Sequence, residues 1–184
     1  MNADTAEAAE LLACEPRAVA AVAAVESSGA GFDAKTGKPV IRLEAHWFGK
    51  LTNYAHNATH PRISATDWDS KLAAGNQREA WEQFEAAAAL NRGAAIQATS
   101  WGKFQIMGFH WKALGFDSPE DFAAAMETER GQLDAFVRFV AADPMLTDAL
   151  RRKDWHTFAS RYNGPGQVDT YAARMAAAYD RAAA

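Results

Sequence analysis

The chain has 184 residues, about one domain's worth. Hydrophobic residues make up 49% and aromatics 11%, which excludes a disordered chain. Nineteen Lys and Arg against 23 Asp and Glu leave a formal charge of −4, which excludes the basic field of a dedicated nucleic-acid binder.

A lone cysteine, Cys14, rules out an internal disulfide framework and a Cys-rich zinc site. No apolar run reaches the roughly 20 residues that span a bilayer, so no membrane insertion is expected. Met1-Asn2-Ala3-Asp4 has no basic residue followed by an apolar stretch, so no secretory signal is expected. Activity outside the cytoplasm would then need another release route.

Alanine runs such as Ala86 to Ala89 and Ala176 to Ala178 favour helix, and Val and Ile are sparse. With no repeat and no linker, one mostly α domain over 1–184 is expected, with a short strand region. Its elements read in order as follows. A helix runs from about Thr5 to Ala13. Pro16 opens a second, because its missing N–H has no intrahelical partner in a first turn. That helix reaches about Glu26 and stops at Ser27-Ser28-Gly29. Thr36-Gly37-Lys38-Pro39 is a turn. Val40 to Trp47 alternates apolar and polar and predicts one strand, with Ile41, Leu43 and Ala45 on one face and Arg42, Glu44 and His46 on the other. Asn53 to Asp67 is a polar loop. Helices resume near Gln77, with Trp81, Phe84 and Ala88 as a stripe. After the Gly-bounded segment Ser100 to Gly108, Ser118-Pro119-Glu120-Asp121 starts another helix. Phe136, Val137 and Val140 mark the inner face of the next. Asp143-Pro144 ends that one, Asp154 caps a helix carrying Trp155, Phe158 and Tyr162, and the last begins near Gln167.

Three places in this layout could do chemistry. Val19, Val22, Ala23 and Glu26 fall at i, i+3, i+4 and i+7 and share one helix face. The face is apolar until its last member. An acid there is desolvated, its charged form is disfavoured, and a raised pKa is what a general acid needs at neutral pH. The plain alternative is a Glu fanning outward at a frayed end. In Ser100-Trp101-Gly102-Lys103-Phe104-Gln105-Ile106-Met107-Gly108, the glycines permit close backbone approach. The Gln105 amide either meets sugar hydroxyl and N-acetyl groups or bonds backbone. Arg161-Tyr162-Asn163-Gly164-Pro165-Gly166 closes a helix and sets a phenol and an amide at a sharp turn.

Taken together, an acid-Ser pair at a helix end, then Gly-x-x-Gln-Ile-Met, then Tyr-Asn-Gly-Pro-Gly resembles the lysozyme-like superfamily. It is similar to goose-type lysozymes and lytic transglycosylases, which have Gly-Leu-Met-Gln where this chain has Gly102-Lys103-Phe104-Gln105. The insert between Glu26 and Ser100 is unusual for them. Its Arg42-Leu43-Glu44-Ala45-His46-Trp47-Phe48, with Ser100-Trp101-Gly102 and Gln105-Ile106-Met107-Gly108, resembles the N-acetylmuramidase family of bacteriophage endolysins, from about Ala18 to Arg174.

That resemblance implies a lysozyme-like helical domain with a small hairpin or short strand beside the active-site cleft. It implies cleavage of the β-1,4 bond from N-acetylmuramic acid to N-acetylglucosamine in peptidoglycan, and so cell lysis. Glu26 matches the catalytic glutamate, while Gln105, Tyr162 and Asn163 match positions lining the cleft. Ser100, Trp101 and His46 are further candidates for glycan contact. A second carboxylate could be Asp33 or Glu44. Glu44 is the accessory candidate, against the alternative of an ion pair with Arg42. His46, His56 and His60 match no zinc spacing, and no cofactor or metal is expected. The partner expected is the peptidoglycan strand, bound by a monomer. Production in a host cytoplasm and release through a membrane pore follow from family habit. A lytic transglycosylase and a non-catalytic peptidoglycan-binding module remain as competing readings.

Overall fold

The computed structural model describes residues 3–27 and 30–182. The expected stop at Ser27-Ser28-Gly29 lies in part outside them: the second helix includes Ser27, and Ser28 and Gly29 are not described. The chain is mostly helical with one small sheet, and it divides into two compact units.

The first unit holds residues 1–30 and 129–184. Its helices are α1 (Ala3–Leu12) and α2 (Pro16–Ser27), and, after the second unit, four more that close the chain. The second unit, residues 31–128, carries β1 (Ile41–Leu43), α3 (Ala45–Leu51), α4 (Gln77–Gln97), β2 (Thr99–Trp101), β3 (Ile106–Met107) and α5 (Pro119–Ala125). Then come α6 (Glu129–Ala141), α7 (Pro144–Arg152), α8 (Trp155–Tyr162) and α9 (Val168–Arg181).

In the first unit, α2 packs on α1 and α9, and α8 packs on α7 and α9. Ala18, Val19, Val22, Phe136, Phe158 and Met175 are fully buried. Asp143-Pro144, expected only to end a helix, ends α6 and also starts α7, while Asp154 caps α8 as expected. Asp143 caps α7 by accepting from the backbone N–H groups of Met145 and Leu146, with Pro144 in the first turn. Asp154 caps α8 by accepting from Thr157 N–H at 3.1 Å.

In the second unit the strands form an antiparallel sheet in the order β1-β2-β3, with Ile41 opposite Trp101 and Trp101 opposite Ile106. The strand expected over Val40 to Trp47 is shorter than its alternation. Ile41 and Leu43 are buried and Arg42 is exposed, as a strand requires, but the sheet ends at Leu43. Glu44 already accepts from the N–H of Phe48 through its carbonyl, and Ala45, Phe48 and Gly49 are buried on one side of a helix. Spacing of i, i+3 and i+4 overrode the alternation once the chain left the sheet. Helix α4 starts at the Asn76 cap and kinks at Asn91, whose φ of −159° and ψ of 99° are not helical. Asn91 Oδ1 accepts from Ala94 N–H at 3.0 Å, so the kink is a cap inside the helix.

The Ser100–Gly108 segment is a tight hairpin. Gly102 has φ +69° and Gln105 has φ +49°. Gly108 lies so close to the end of α4 that a Cβ there would sit 2.0 Å from the Ile96 carbonyl oxygen. The expectation of close backbone approach holds at that residue.

Candidate active site

The acid sits where the stripe predicts. Val19 and Val22 are fully buried, Ala23 is 5% exposed, and Glu26 is half-buried in the last turn of α2. Burial pushes its carboxyl up from 4.5 to about 7, against a smaller lowering by a hydrogen bond. That bond comes from Asn163: Nδ2 donates to Glu26 Oε1 at 2.9 Å. Asn163 is the C-cap of α8, which brings the third motif to the first. Its other end, Oδ1, is buried and has no partner among the described residues.

Tyr162 belongs to the same place. Its ring stacks on Phe158 at 5.2 Å and meets Phe139 edge-on at 5.3 Å. Burial, then the charge of Glu26, raises its phenol well above the ordinary range, so it stays neutral. Glu26, Tyr162 and Asn163 thus form one constellation within the first unit.

The other candidates lie in the second unit. Glu44 follows β1 and pairs with Arg42, Nε to Oε1 at 3.0 Å, the arrangement weighed as the alternative to a catalytic part. Only 18% of its side chain is exposed, and burial raises its pKa despite Arg42. His46 Nδ1 lies 3.8 Å from the other carboxylate oxygen. Burial, then Arg42 and Lys50, lowers the imidazole pKa, which favours its neutral form. It offers one donor and one acceptor nitrogen.

The hairpin residues are occupied with the hairpin itself. Gln105 Nε2 donates to the Gly102 carbonyl at 2.9 Å and more weakly to that of Val40 at 3.4 Å. Its Oε1 accepts from Ser100 Oγ at 2.8 Å. The backbone-bonding alternative for this amide is the one realised. Trp101 requires a correction. It is 3% exposed, donates from Nε1 to the Ile96 carbonyl at 3.2 Å, and meets Trp81, Phe84 and Phe122 edge-on. A ring enclosed on these sides has no face for a sugar, and it is the core of its unit. Asp33 also has another duty: its Oδ2 accepts from the N–H and hydroxyl of Thr36 and shapes the turn. His56 stacks on Phe48, with His60 edge-on to it. Among the described residues no group of three or more His, Cys, Asp or Glu could hold a metal.

One residue escaped the sequence reading. Trp68 is 57% exposed and lines a small notch with Arg42, Glu44, His46 and Asp69. A tryptophan among the charged residues Asp67 and Asp69 was the available signal.

Comparison with known proteins defines the class: the chain is a glycoside hydrolase of the lysozyme type. A family model described as N-acetylmuramidase matches residues 15–183, and the chain belongs to that family. Among solved structures it is similar to the crystal structure of a Burkholderia AP3 phage endolysin, at 41% identity and a TM-score of 0.84. The match covers 99% of this chain and 71% of that one. No curated protein matches significantly. No described helix is long and apolar enough to cross a membrane.

Proposed function

We propose that this N-acetylmuramidase cleaves the β-1,4 bond between N-acetylmuramic acid and N-acetylglucosamine in bacterial peptidoglycan, with Glu26 as general acid. The observation that carries this reading is the carboxyl group of Glu26, lifted to about 7 by burial at the end of an apolar stripe. An acid of that strength is half protonated at neutral pH and still gives its proton up readily.

Asn163 decides which oxygen carries the proton. Its N–H occupies Oε1 at 2.9 Å, which makes Oε1 the acceptor end and leaves Oε2 to hold the O–H. Oε2 then donates to the glycosidic oxygen as the bond to the anomeric carbon breaks. Water adds to the oxocarbenium-like centre, and its released proton restores the carboxyl group. Glu44 is the accessory carboxylate in this reading, its charge steadying the transition state, and Tyr162 and His46 contact the glycan. The whole chain acts as one catalytic domain and as a monomer.

The similarity to a phage endolysin supports a role in host-cell lysis. In that role the protein is made in the host cytoplasm and meets the wall after release through a membrane pore.

The test is Glu26→Gln on purified sacculi. The variant should fold and release no soluble muropeptides; wild-type release by a folded variant would overturn the assignment. Mass spectrometry of wild-type products reads the reaction itself. Reducing muramic ends support hydrolysis, and 1,6-anhydro ends would replace it with transglycosylation.

A further inference from the structure

Trp68 stands apart from the other indoles of its unit. Trp47, Trp81 and Trp111 are partly buried and Trp101 is buried, whereas Trp68 leaves 57% of its surface to water. Exposing a large aromatic group to water forfeits burial that the fold could have used. Three features argue that its position is specified.

First, the segment carrying it is pinned on both sides. Ala65 N–H donates to the Ala45 carbonyl at 3.0 Å upstream, and buried Gln83 donates from Nε2 to the Leu72 carbonyl at 2.9 Å downstream. Between them, Asp69 caps a short turn by accepting from Lys71 N–H at 2.9 Å. Second, the upstream contact requires glycine in α3. A Cβ on Gly49 would sit 2.2 Å from the Ala65 carbonyl oxygen. Third, the notch beside the indole is lined by the polar side chains of Arg42, Glu44, His46 and Asp69. Glu44 is a carboxylate, Arg42 a guanidinium at 3.0 Å from it, and His46 an imidazole at 3.8 Å. The imidazole is 26% exposed and the guanidinium 45%.

An apolar platform next to groups that both give and accept hydrogen bonds matches a pyranose ring. One face of such a ring is made of C–H groups and its rim of hydroxyls. A purely apolar partner would leave the spare hydrogen-bonding capacity of the Arg42–Glu44 pair and of His46 unused, and a strongly anionic one would oppose Glu44 and Asp69. We propose that Trp68, with Glu44 and His46 beside it, forms a sugar-binding subsite in which the indole stacks on one amino-sugar ring of the glycan. The inference rests on the muramidase reading only for the choice of glycan. The subsite lies wholly within residues 31–128.

The experiment uses the full chain in the Glu26→Gln background, so that binding is read without cleavage. The probes are glycan strands freed of their peptides and, separately, the free stem peptide. Trp68→Ala should weaken binding to the peptide-free glycan about three- to tenfold, the size expected for one aromatic stacking contact. Trp68→Tyr should recover most of the loss, and the melting temperature should not move because the side chain is exposed. In the active protein, Trp68→Ala should raise KM on the same glycan and leave kcat unchanged. Glycan binding equal to the parent's would overturn the subsite, as would a loss seen only with the stem peptide. Neither result would touch the role of Glu26, which the sacculus assay tests alone.

Discussion

The hydroxyl of Tyr179 donates to Oε2 of Glu15 at 2.5 Å, across 164 positions of sequence. The same carboxylate accepts from Lys153 Nζ at 2.6 Å and from Arg17 at 2.8 Å. One acid therefore joins the start of α2, the end of α7 and the face of α9 in the unit that carries Glu26. These partners, Lys153 first, hold the Glu15 carboxyl near 2, well below its ordinary 4.5. The depressed value belongs to the folded state. Its stabilisation is present above pH 4.5 and disappears as pH falls from there through about 2. Glu15→Gln should lower the melting temperature at pH 7 and flatten its fall below pH 4.5. High salt should narrow the gap to the parent, since the group is 40% exposed. Thermal unfolding at pH 3, 5 and 7 checks all three.

Glu26 has the opposite linkage. Its folded value is raised to about 7, so ionising it costs the folded state. Stability should decline as pH rises from 4.5 through about 7, and Glu26→Gln should not show that decline. At pH 8 this variant should melt higher than the parent. Calorimetry across pH 4 to 8 decides, and a lower melting point for the variant at pH 8 would contradict the desolvated acid.

Activity should follow the same group. If Glu26 must be protonated, kcat falls as pH rises past about 7. Asn163→Asp removes the N–H that favours the charged carboxylate and adds a like charge, and both changes move that limb upward. A pH–rate profile on a soluble glycan, with the Glu26 carboxyl carbon followed by NMR, measures the shift. The same limb in both proteins would mean that the 2.9 Å bond does not act on the acid.

Gly108→Ala should damage the second unit without touching any proposed catalytic group. The added methyl would overlap the Ile96 carbonyl, and the obstruction is backbone, which cannot swing aside. A loss of about 1–3 kcal/mol or more is expected from such overpacking. Urea unfolding measures it, and a parent-like midpoint would show that the hairpin can lift away from α4.

Trp101→Ala should cost about 3–5 kcal/mol, the usual range for truncating a buried aromatic. Trp101→Phe should keep glycan affinity near the parent value, because the indole is enclosed. A selective loss of affinity in that variant would return Trp101 to the substrate surface. Denaturant unfolding and glycan titration of the same two proteins separate the outcomes.

Much of this was legible from residues alone. Asp154 and Ser118 announced helix starts because a capping side chain bonds backbone within three positions, whereas Asp143-Pro144 was legible only as a helix end although it also starts α7. The stripe of Val19, Val22, Ala23 and Glu26 was readable because helix geometry alone fixes its period. Partners far along the chain could not be read in this way. The alternation from Val40 to Trp47 looked like one strand, yet Leu43 is the last residue that finds a sheet partner, in Thr99. Trp101 and Gln105 looked like sugar contacts until Phe84, Phe122 and Ser100 were seen to enclose or engage them. Helical character, the caps at Ser118 and Asp154 and the place of Glu26 at the end of an apolar stripe follow from residues alone, because propensity, capping and periodicity act over a few positions. That Asn163 reaches this acid, that Trp101 is core and that Trp68 is surface emerges only in the folded chain. Burial and long-range hydrogen bonds depend on which distant segments the folded chain brings together.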